Sequence, residues 1–596
     1  MSTLGTQASK ATVRPARRPM PVWGKQLLML LPLLTLLLVF LVYPVGRLFS
    51  LSFFNADGFT LAAYQQIFSS NLYLTVLGIT FKISVYTTVL SVVLGYPVAY
   101  LISSTPAPFK QRLVFLVLLS FWTSFLVRAF AWVVILGRNG VINQSLMGLG
   151  VIDTPLNLLY GLGATVAGMV HAMLPLAVMT MLAVMENIDR GLTKAASTLG
   201  AKPGTAFWTV YFPLSVPGVA AATIMVFITS IGFFIVPALL GGRHETMITQ
   251  LIIDQVQQTL NWRLAGAISV VLLAFVLVVF VAYDRVFGFA SLTGESAAGQ
   301  ARRGGHGRRF GGRLLALAGA VSDRLCVLPG TKRKVSASAQ GEGWALKGFV
   351  WTVLIMITLP ALLMVPISFS SAGLQWPPSG MTLQWYQAML GSPVWSQALV
   401  RSLTVALGAG VLSMAIGVPA AFLLARANIR GKTALMVFLL SPIIAPRIII
   451  ALGLFYMFSD LKLVGTSLGL IIGHSVVCVP YVVMTMVAVL RNYDVRLDAA
   501  AQSLGASPVR TLRHVTLPLL GAGMFSAFLF AFATSFDELT IALFSSGGLN
   551  ATLPKQFWDE VTLQVSPVIA AVSTCLLLFI SVLIFIADKL RQRAAA

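Results

Sequence analysis

Apolar residues in this chain fall into long runs separated by short polar stretches. Such runs lie at roughly 26–47, 73–103, 113–136, 161–185, 214–240 and 264–286, and again at roughly 347–369, 398–425, 434–458, 467–490, 519–545 and 566–588. Each is long enough for a helix to cross a hydrocarbon layer of about 30 Å. All are far longer than the alternating segments of about 10 residues that build a membrane barrel. The pattern predicts an all-α polytopic membrane protein with about twelve transmembrane helices in two sets of six.

Composition agrees. Of 596 residues, 57% are hydrophobic and 10% are charged, against about 25% charged in soluble domains; the mean hydropathy is +0.88. The net charge of +23 raises the question of a nucleic-acid partner, but the basic residues flank the apolar runs. Lys10, Arg14, Arg17, Arg18 and Lys25 precede the first run, and ten more basic residues lie within 301–347. That distribution marks a cytoplasmic side. No nucleic-acid recognition motif accompanies it.

Loops 53–72 and 371–397 carry no Lys or Arg and are expected outside; both termini and the connector are expected in the cytoplasm. The N-terminal apolar run has no small-residue cleavage site after it, so it reads as a retained span. Cys326, Cys478 and Cys575 lie too far apart to suggest a disulfide framework or a metal site. The organisation read from these features is a basic N-terminus (1–25), a first half (26–287), a Gly/Ser/Arg-rich linker (288–346), a second half (347–588) and a tail (589–596). The linker composition suits a solvated tether, with 314–328 as a short surface helix.

An internal repeat decides the architecture. Residues 175–184 align with 480–489 at seven identities in ten, an offset of 305 that continues through 194–203 and 499–508. Gly95-Tyr-Pro-Val-Ala-Tyr-Leu101 is similar to Gly417-Val-Pro-Ala-Ala-Phe-Leu423. With six spans each, the halves are parallel repeats about an axis along the membrane normal.

Between the fourth and fifth spans of each half, 186–213 and 491–518, lies a polar stretch too long for a turn. Each reads as a short helix ended by Gly200 or Gly505 as a left-handed cap. Pro203 or Pro508 then opens a second helix. Two helices meeting at a corner make a rigid knob suited to a cleft on another protein.

These loops resemble the EAA loop of ABC-importer permeases. The spacing Ala-Ala, three residues, Gly, nine residues, an aliphatic residue, one residue, a bulky residue and Pro is met by Lys194, Ala195, Ala196, Gly200, Val210, Phe212 and Pro213. It is met again by Ala499, Ala500, Ala501, Gly505, Val515, Leu517 and Pro518, with Lys194 and Ala499 in place of the family's leading Glu. Over nearly the whole chain there is a wider resemblance to spermidine/putrescine-type permeases, carried by 121–132, Pro237-Ala-Leu-Leu-Gly-Gly242 and Ser535-Phe-Asp-Glu-Leu-Thr540. The resemblance implies a type I ABC-importer transmembrane fold with two permease halves, normally separate chains, fused into one. It implies an ABC ATPase homodimer gripping the two loops and carrying the ATP and Mg, and a periplasmic solute-binding protein. It also implies a multi-pass place in the bacterial inner membrane and no cofactor on this chain.

Ionisable residues inside spans are costly, and three are candidates for the substrate path: Asp537, Glu538 and Arg128. Asp537 and Glu538 either face a path for a cationic solute or sit in water at the outer helix end; the first half has Gly232 and Phe233 at those places. Arg128 reads either as a partner for an acid or anion, or as a structural arginine. Lys82 reads as a packing or cavity residue, and His171 and His474 as buried polar glue. Gly431-Lys-Thr433 lacks the upstream glycine of a phosphate-binding loop, and no catalytic constellation appears. The expectation is therefore a permease and not an enzyme, moving a polyamine or similar cationic amine. A phosphonate, iron(III) or another small solute is the alternative, and a major-facilitator-like secondary transporter the rival architecture.

Overall fold

The computed structural model of the chain describes residues 22–287 except 56, 317–323, and 343–595 except 428, 430, 548 and 549. The basic N-terminus and most of the linker lie outside the described residues.

Among the described residues, eleven single helices are long and apolar enough to cross a membrane. The first half contributes Leu28–Phe53, Asn71–Ser104, Phe125–Gly148, Leu162–Met185, Pro203–Ile231 and Trp262–Tyr283. The second contributes Trp344–Ser368, Pro393–Arg426, Ser467–Arg491, Pro508–Phe536 and Val568–Ile586, plus a bent pair, Lys432–Ile444 and Arg447–Asp460, that meet at 89°. This is the two-by-six arrangement read from the apolar runs.

Four of the expected spans are broken. Instead of one helix over 113–136, Ala107–Trp122 ends and Phe125–Leu136 begins, with Ser124 Oγ accepting from the Leu126 amide at 3.3 Å as the new N-cap. The 434–458 run breaks at Ala445–Pro446, where the proline ring holds the preceding residue extended (Ala445 ψ 134°). The fifth spans stop at Ile231 and Phe536 and resume as Ile235–Leu240 and Thr540–Ser545. Apolar periodicity cannot reveal such breaks, because both pieces stay apolar.

Three helices carry a five-residue π turn: Leu38–Val42, Phe207–Tyr211 and Leu512–Thr516. In each, a proline follows two residues after the turn ends: Pro44, Pro213 and Pro518. A proline ring clashes with the carbonyl four residues back and offers no N–H. Widening the turn relieves both problems. Pro213 and Pro518 therefore shape the helix that leads from each knob into its fifth span.

The repeat is equally visible in packing. A Cβ on Gly218 would lie 2.9 Å from Val184 Cβ, and one on Gly523 would lie 2.5 Å from Val489 Cγ1. Both pairs are separated by the same 305 residues. Gly168 abuts Val236 and Gly473 abuts Ile541 in the same relation. Small residues let membrane helices approach until their backbones pack. The halves also interlock, since the first span of each lies against the second and third spans of the other. A Cβ on Gly453 would lie 3.0 Å from the Pro44 and Val45 backbone, and Trp262 stacks on Phe455 at 5.5 Å.

If the Gly523–Val489 approach sets the spacing of the fourth and fifth spans, Gly523→Leu overpacks it, a change worth about 1–3 kcal/mol. The expected result is a lower thermal unfolding midpoint in detergent, partly restored by Val489→Ala in the same chain. An unchanged midpoint in Gly523→Leu would refute the close approach.

Candidate functional site

The four broken spans meet at one place between the halves. Gly232, at the break of the first half's fifth span, lies against Pro446, at the break of the second half's third span, with a built Cβ 3.3 Å from it. Across the pseudo-axis, Asp537 sits at the break of the second half's fifth span. Its Oδ2 accepts from the Phe125 amide at 3.4 Å, at the break of the first half's third span. These breaks enclose a chamber of about 270 Å³ lined by Phe121, Trp122, Phe125, Phe233, Arg447, Tyr481, Phe530, Asp537 and Glu538 among others. Trp122 and Tyr481 each lie 5.0 Å from Phe530, so one wall is a continuous aromatic surface. A second, mostly apolar cavity of about 390 Å³ adjoins it and shares Trp122, Phe530, Ala533 and Asp537.

The two acids do different things. Glu538 is buried; its Oε2 pairs with Arg447 Nη1 at 3.1 Å and its Oε1 accepts from the Ile541 amide at 2.9 Å. It thus neutralises Arg447 and caps the helix that resumes after the break. Asp537 is half-buried, faces both cavities and makes no ion pair among the described residues. Both acids sit at a break inside the helix bundle, Glu538 buried and Asp537 half-buried.

Arg128 lines neither large cavity. It is 2% exposed, donates from Nη1 to the Ala172 carbonyl at 3.1 Å and lies over the Phe125 ring at 4.5 Å. It therefore braces the wall behind the chamber. His171 and His474 are buried against the Ile357 carbonyl (3.1 Å) and Ser535 Oγ (2.8 Å), in keeping with polar glue. Lys82, by contrast, is exposed on the outer surface of its helix near the Tyr86 ring, not at a packing interface or cavity. Arg447 escaped the sequence reading, although a lone cation beside a proline in an apolar run was an available signal. Gly431 opens the helix Lys432–Ile444 and follows a helix, not the strand a phosphate-binding loop requires.

The two knobs lie on one membrane face, because each half reaches its knob after four crossings. Gly191–Thr198 and Arg496–Ser503 are the short helices, carrying Lys194, Ala195 and Ala196 in one and Ala499, Ala500 and Ala501 in the other. Gly200 (φ +90°) and Gly505 (φ +86°) end them. Ala201 N donates to Ala196 O at 3.0 Å and Gly200 N to Ser197 O at 3.1 Å; Ala506 and Gly505 repeat the pattern onto Ala501 and Gln502. That is the Schellman arrangement, and it makes Ala196 and Ala501 the carbonyls that close each corner. Neither short helix buries a residue, and Leu199 and Leu504 at the corners are 88% and 89% exposed.

Each knob is fastened to its own half. In the second, Asp498 accepts from Tyr493 Oη and Thr516 Oγ1 at 2.7 Å and from Arg426 Nη1 at 2.9 Å. Burial pushes this carboxyl up, but the two hydroxyls and Arg426 outweigh it and hold its pKa below the ordinary value. In the first, Arg190 donates to Ser103 Oγ at 3.1 Å and lies 5.8 Å from the Tyr100 and Tyr211 rings.

Comparison with known proteins identifies the family. The family model described as "Binding-protein-dependent transport system inner membrane component" matches twice, at residues 91–288 and 417–595. The spermidine/putrescine transport system permease protein PotB of Haemophilus influenzae is 30% identical over 255 residues, 41% of this chain and 89% of its own length. The corresponding PotC of Escherichia coli is 31% identical over 251 residues, 41% of this chain and 93% of its own length. Among solved structures, a bacterial alginate ABC transporter in complex with a pentasaccharide-bound periplasmic protein gives a TM-score of 0.37 at 18% identity, covering 44% of this chain and 94% of that one. Each half carries its own copy of the family's domain, and the permease relatives each span about two-fifths of the chain. The chain belongs to the binding-protein-dependent transport system inner membrane components, with two permease domains fused in one polypeptide.

Proposed function

We propose that this permease imports a polyamine or a similar cationic amine, with Asp537 as the carboxylate that meets it. The observation carrying this reading is a half-buried acid without an ion pair among the described residues, in a chamber walled by aromatic rings. An unpaired carboxylate within a membrane protein is expensive, and an ammonium group offsets that cost. Trp122, Tyr481 and Phe530 offer ring faces that attract alkylammonium groups and apolar area for the methylenes between them. The names of the polyamine-permease relatives point the same way. Glu538 is already satisfied by Arg447, so it serves the frame and not the solute.

The same reading assigns the knobs around Gly200 and Gly505 to an ABC ATPase homodimer that carries the ATP and Mg. A helix of eight residues that buries nothing is marginal alone, and exposed leucines at both corners suit a partner's cleft. A periplasmic binding protein delivers solute on the opposite face, and both termini lie in the cytoplasm with the knobs. Closure of the ATPase dimer moves the knobs, and the fifth spans that continue from them carry the motion to the breaks around the chamber. Access then alternates between the two faces.

Reconstitution in liposomes with the co-encoded ATPase and binding protein tests the substrate. Spermidine or putrescine is expected to drive uptake and ATP hydrolysis, while Asp537→Asn lowers uptake at least tenfold. Stimulation by a phosphonate or ferric ion alone would replace the substrate, and undiminished polyamine uptake by Asp537→Asn would remove Asp537 from the path.

The frame role of Glu538 separates from that of Asp537 by stability. Glu538→Ala strands Arg447 and is expected to lower stability by about 2 kcal/mol, below the usual cost for a buried pair because Arg447 reaches the chamber. Asp537→Asn should shift the detergent unfolding midpoint little.

Gly200→Ala and Gly505→Ala test the knobs. A Cβ at either site meets no atom within 4 Å, so the cost is only that of the left-handed backbone, about 1 kcal/mol. Solute-stimulated ATPase activity is expected to fall several-fold, with asparagine tolerated better than alanine. Full activity in both alanine variants would refute the coupling role.

A further inference from the structure

The linker is more than a tether. Residues 317–323 form a helix that packs on the first knob, so the linker shares a membrane face with the knobs. Asp323 is buried there. Its carboxylate accepts from the Gly204 amide (2.8 Å), the Thr205 amide (3.2 Å) and Thr205 Oγ1 (2.5 Å). Those amides belong to the first turn of the helix that runs from Pro203 through the fifth span.

The second knob shows what this contact replaces. Its helix caps itself, with Ser507 Oγ accepting from the Arg510 amide at 3.4 Å. The residue equivalent to Ser507 in the first knob is Lys202, which makes no side-chain cap. Ammonium groups donate and cannot accept, so Lys202 cannot do this work. Its positive charge instead favours a carboxylate beside it. The Thr205 hydroxyl, the two amides and Lys202 together hold the Asp323 carboxyl below the ordinary carboxylate range, against a smaller effect of burial.

Glycines make the seat. A Cβ on Gly204 would lie 2.6 Å from Asp323 Oδ1 and 2.8 Å from Ser322 Oγ, and one on Gly319 would lie 3.0 Å from Thr205 Cα. The second knob has Val509 and Arg510 at the places of Gly204 and Thr205, and Val509 is 74% exposed. A linker helix therefore fits the first knob and not the second.

We propose that Asp323 is a positioning residue for transport: the linker supplies across the chain the helix cap that the first knob lacks, and the two knobs meet the ATPase with unequal support. The cap itself rests only on the hydrogen bonds; its consequence for transport rests on the coupling role proposed above.

The test uses the full chain carrying Cys326→Ala, Cys478→Ala, Cys575→Ala and Ser322→Cys, reconstituted with its ATPase and binding protein. Maleimide labelling of the introduced thiol reads docking, and polyamine-stimulated ATP hydrolysis reads coupling. Asp323→Ala is expected to raise the labelling rate and to lower the stimulated hydrolysis several-fold. Adding Lys202→Ser gives the first knob a cap of its own and should restore hydrolysis while the thiol stays open to labelling. That split distinguishes a missing cap from general damage.

If Asp323→Ala leaves hydrolysis intact while Gly505→Ala lowers it, the proposal fails and the coupling role stands. Failure of Lys202→Ser to restore hydrolysis overturns the cap assignment. Faster labelling in Asp323→Ala, with hydrolysis intact in both Asp323→Ala and Gly505→Ala, supports the cap and removes the coupling role.

Discussion

A backbone amide left without a partner in hydrocarbon costs several kcal/mol, and this chain interrupts four helices inside its bundle. Every feature of the central site follows from meeting that demand. Ser124 Oγ takes the Leu126 amide, Asp537 takes the Phe125 amide, and Glu538 takes the Ile541 amide. Arg447 then neutralises Glu538. Bringing the four breaks together lets their freed groups face protein and chamber instead of lipid. The polar centre of the permease is thus a consequence of where its helices stop.

Duplication supplies the frame, and single substitutions supply the differences. The glycine contacts at Gly218 and Gly523, and at Gly168 and Gly473, recur with equivalent partners. Helix spacing in both halves therefore has one origin. At the site, however, Gly232 leaves room where Asp537 places a charge. At the knobs, Thr193 stands where Asp498 makes three hydrogen bonds, and Lys202 where Ser507 caps. The acids that line the chamber come from one half only.

Much of this was legible in the residues. The repeat offset fixed the pairing of spans, and the glycine corners at Gly200 and Gly505 have the left-handed backbone that their sequence context called for. Three of the four breaks were not legible, because an interruption of two or three residues without a charge leaves the mean hydropathy of a run little changed. Pro446 carried the information, through its effect on Ala445, but prolines also occur unbroken at Pro175 and Pro480, within helices that stay continuous. What separates those cases is the neighbouring structure that accepts the freed groups, and a linear pattern does not contain it. The Asp323 contact was hidden for a related reason. Its partners lie 118 and 119 residues away, and the only local hint was the lysine at a capping position.

The Asp323 cap sits at the corner where the first knob turns into its fifth span. Eight residues with no buried face gain little from propagation to offset nucleation, so each short knob helix relies on the contacts that fasten it to its half. Asp498 fastens the second knob with residues of its own half, and surface ion pairs of the Arg426–Asp498 kind contribute little alone; the two hydroxyls on the same carboxylate make that anchor cooperative. The first knob has a cation over two aromatic rings and a carboxylate borrowed from the linker. Fusion of the halves keeps that carboxylate at high effective concentration, which two separate permease chains cannot ensure. Joining the halves therefore permits a knob that is incomplete within its own half.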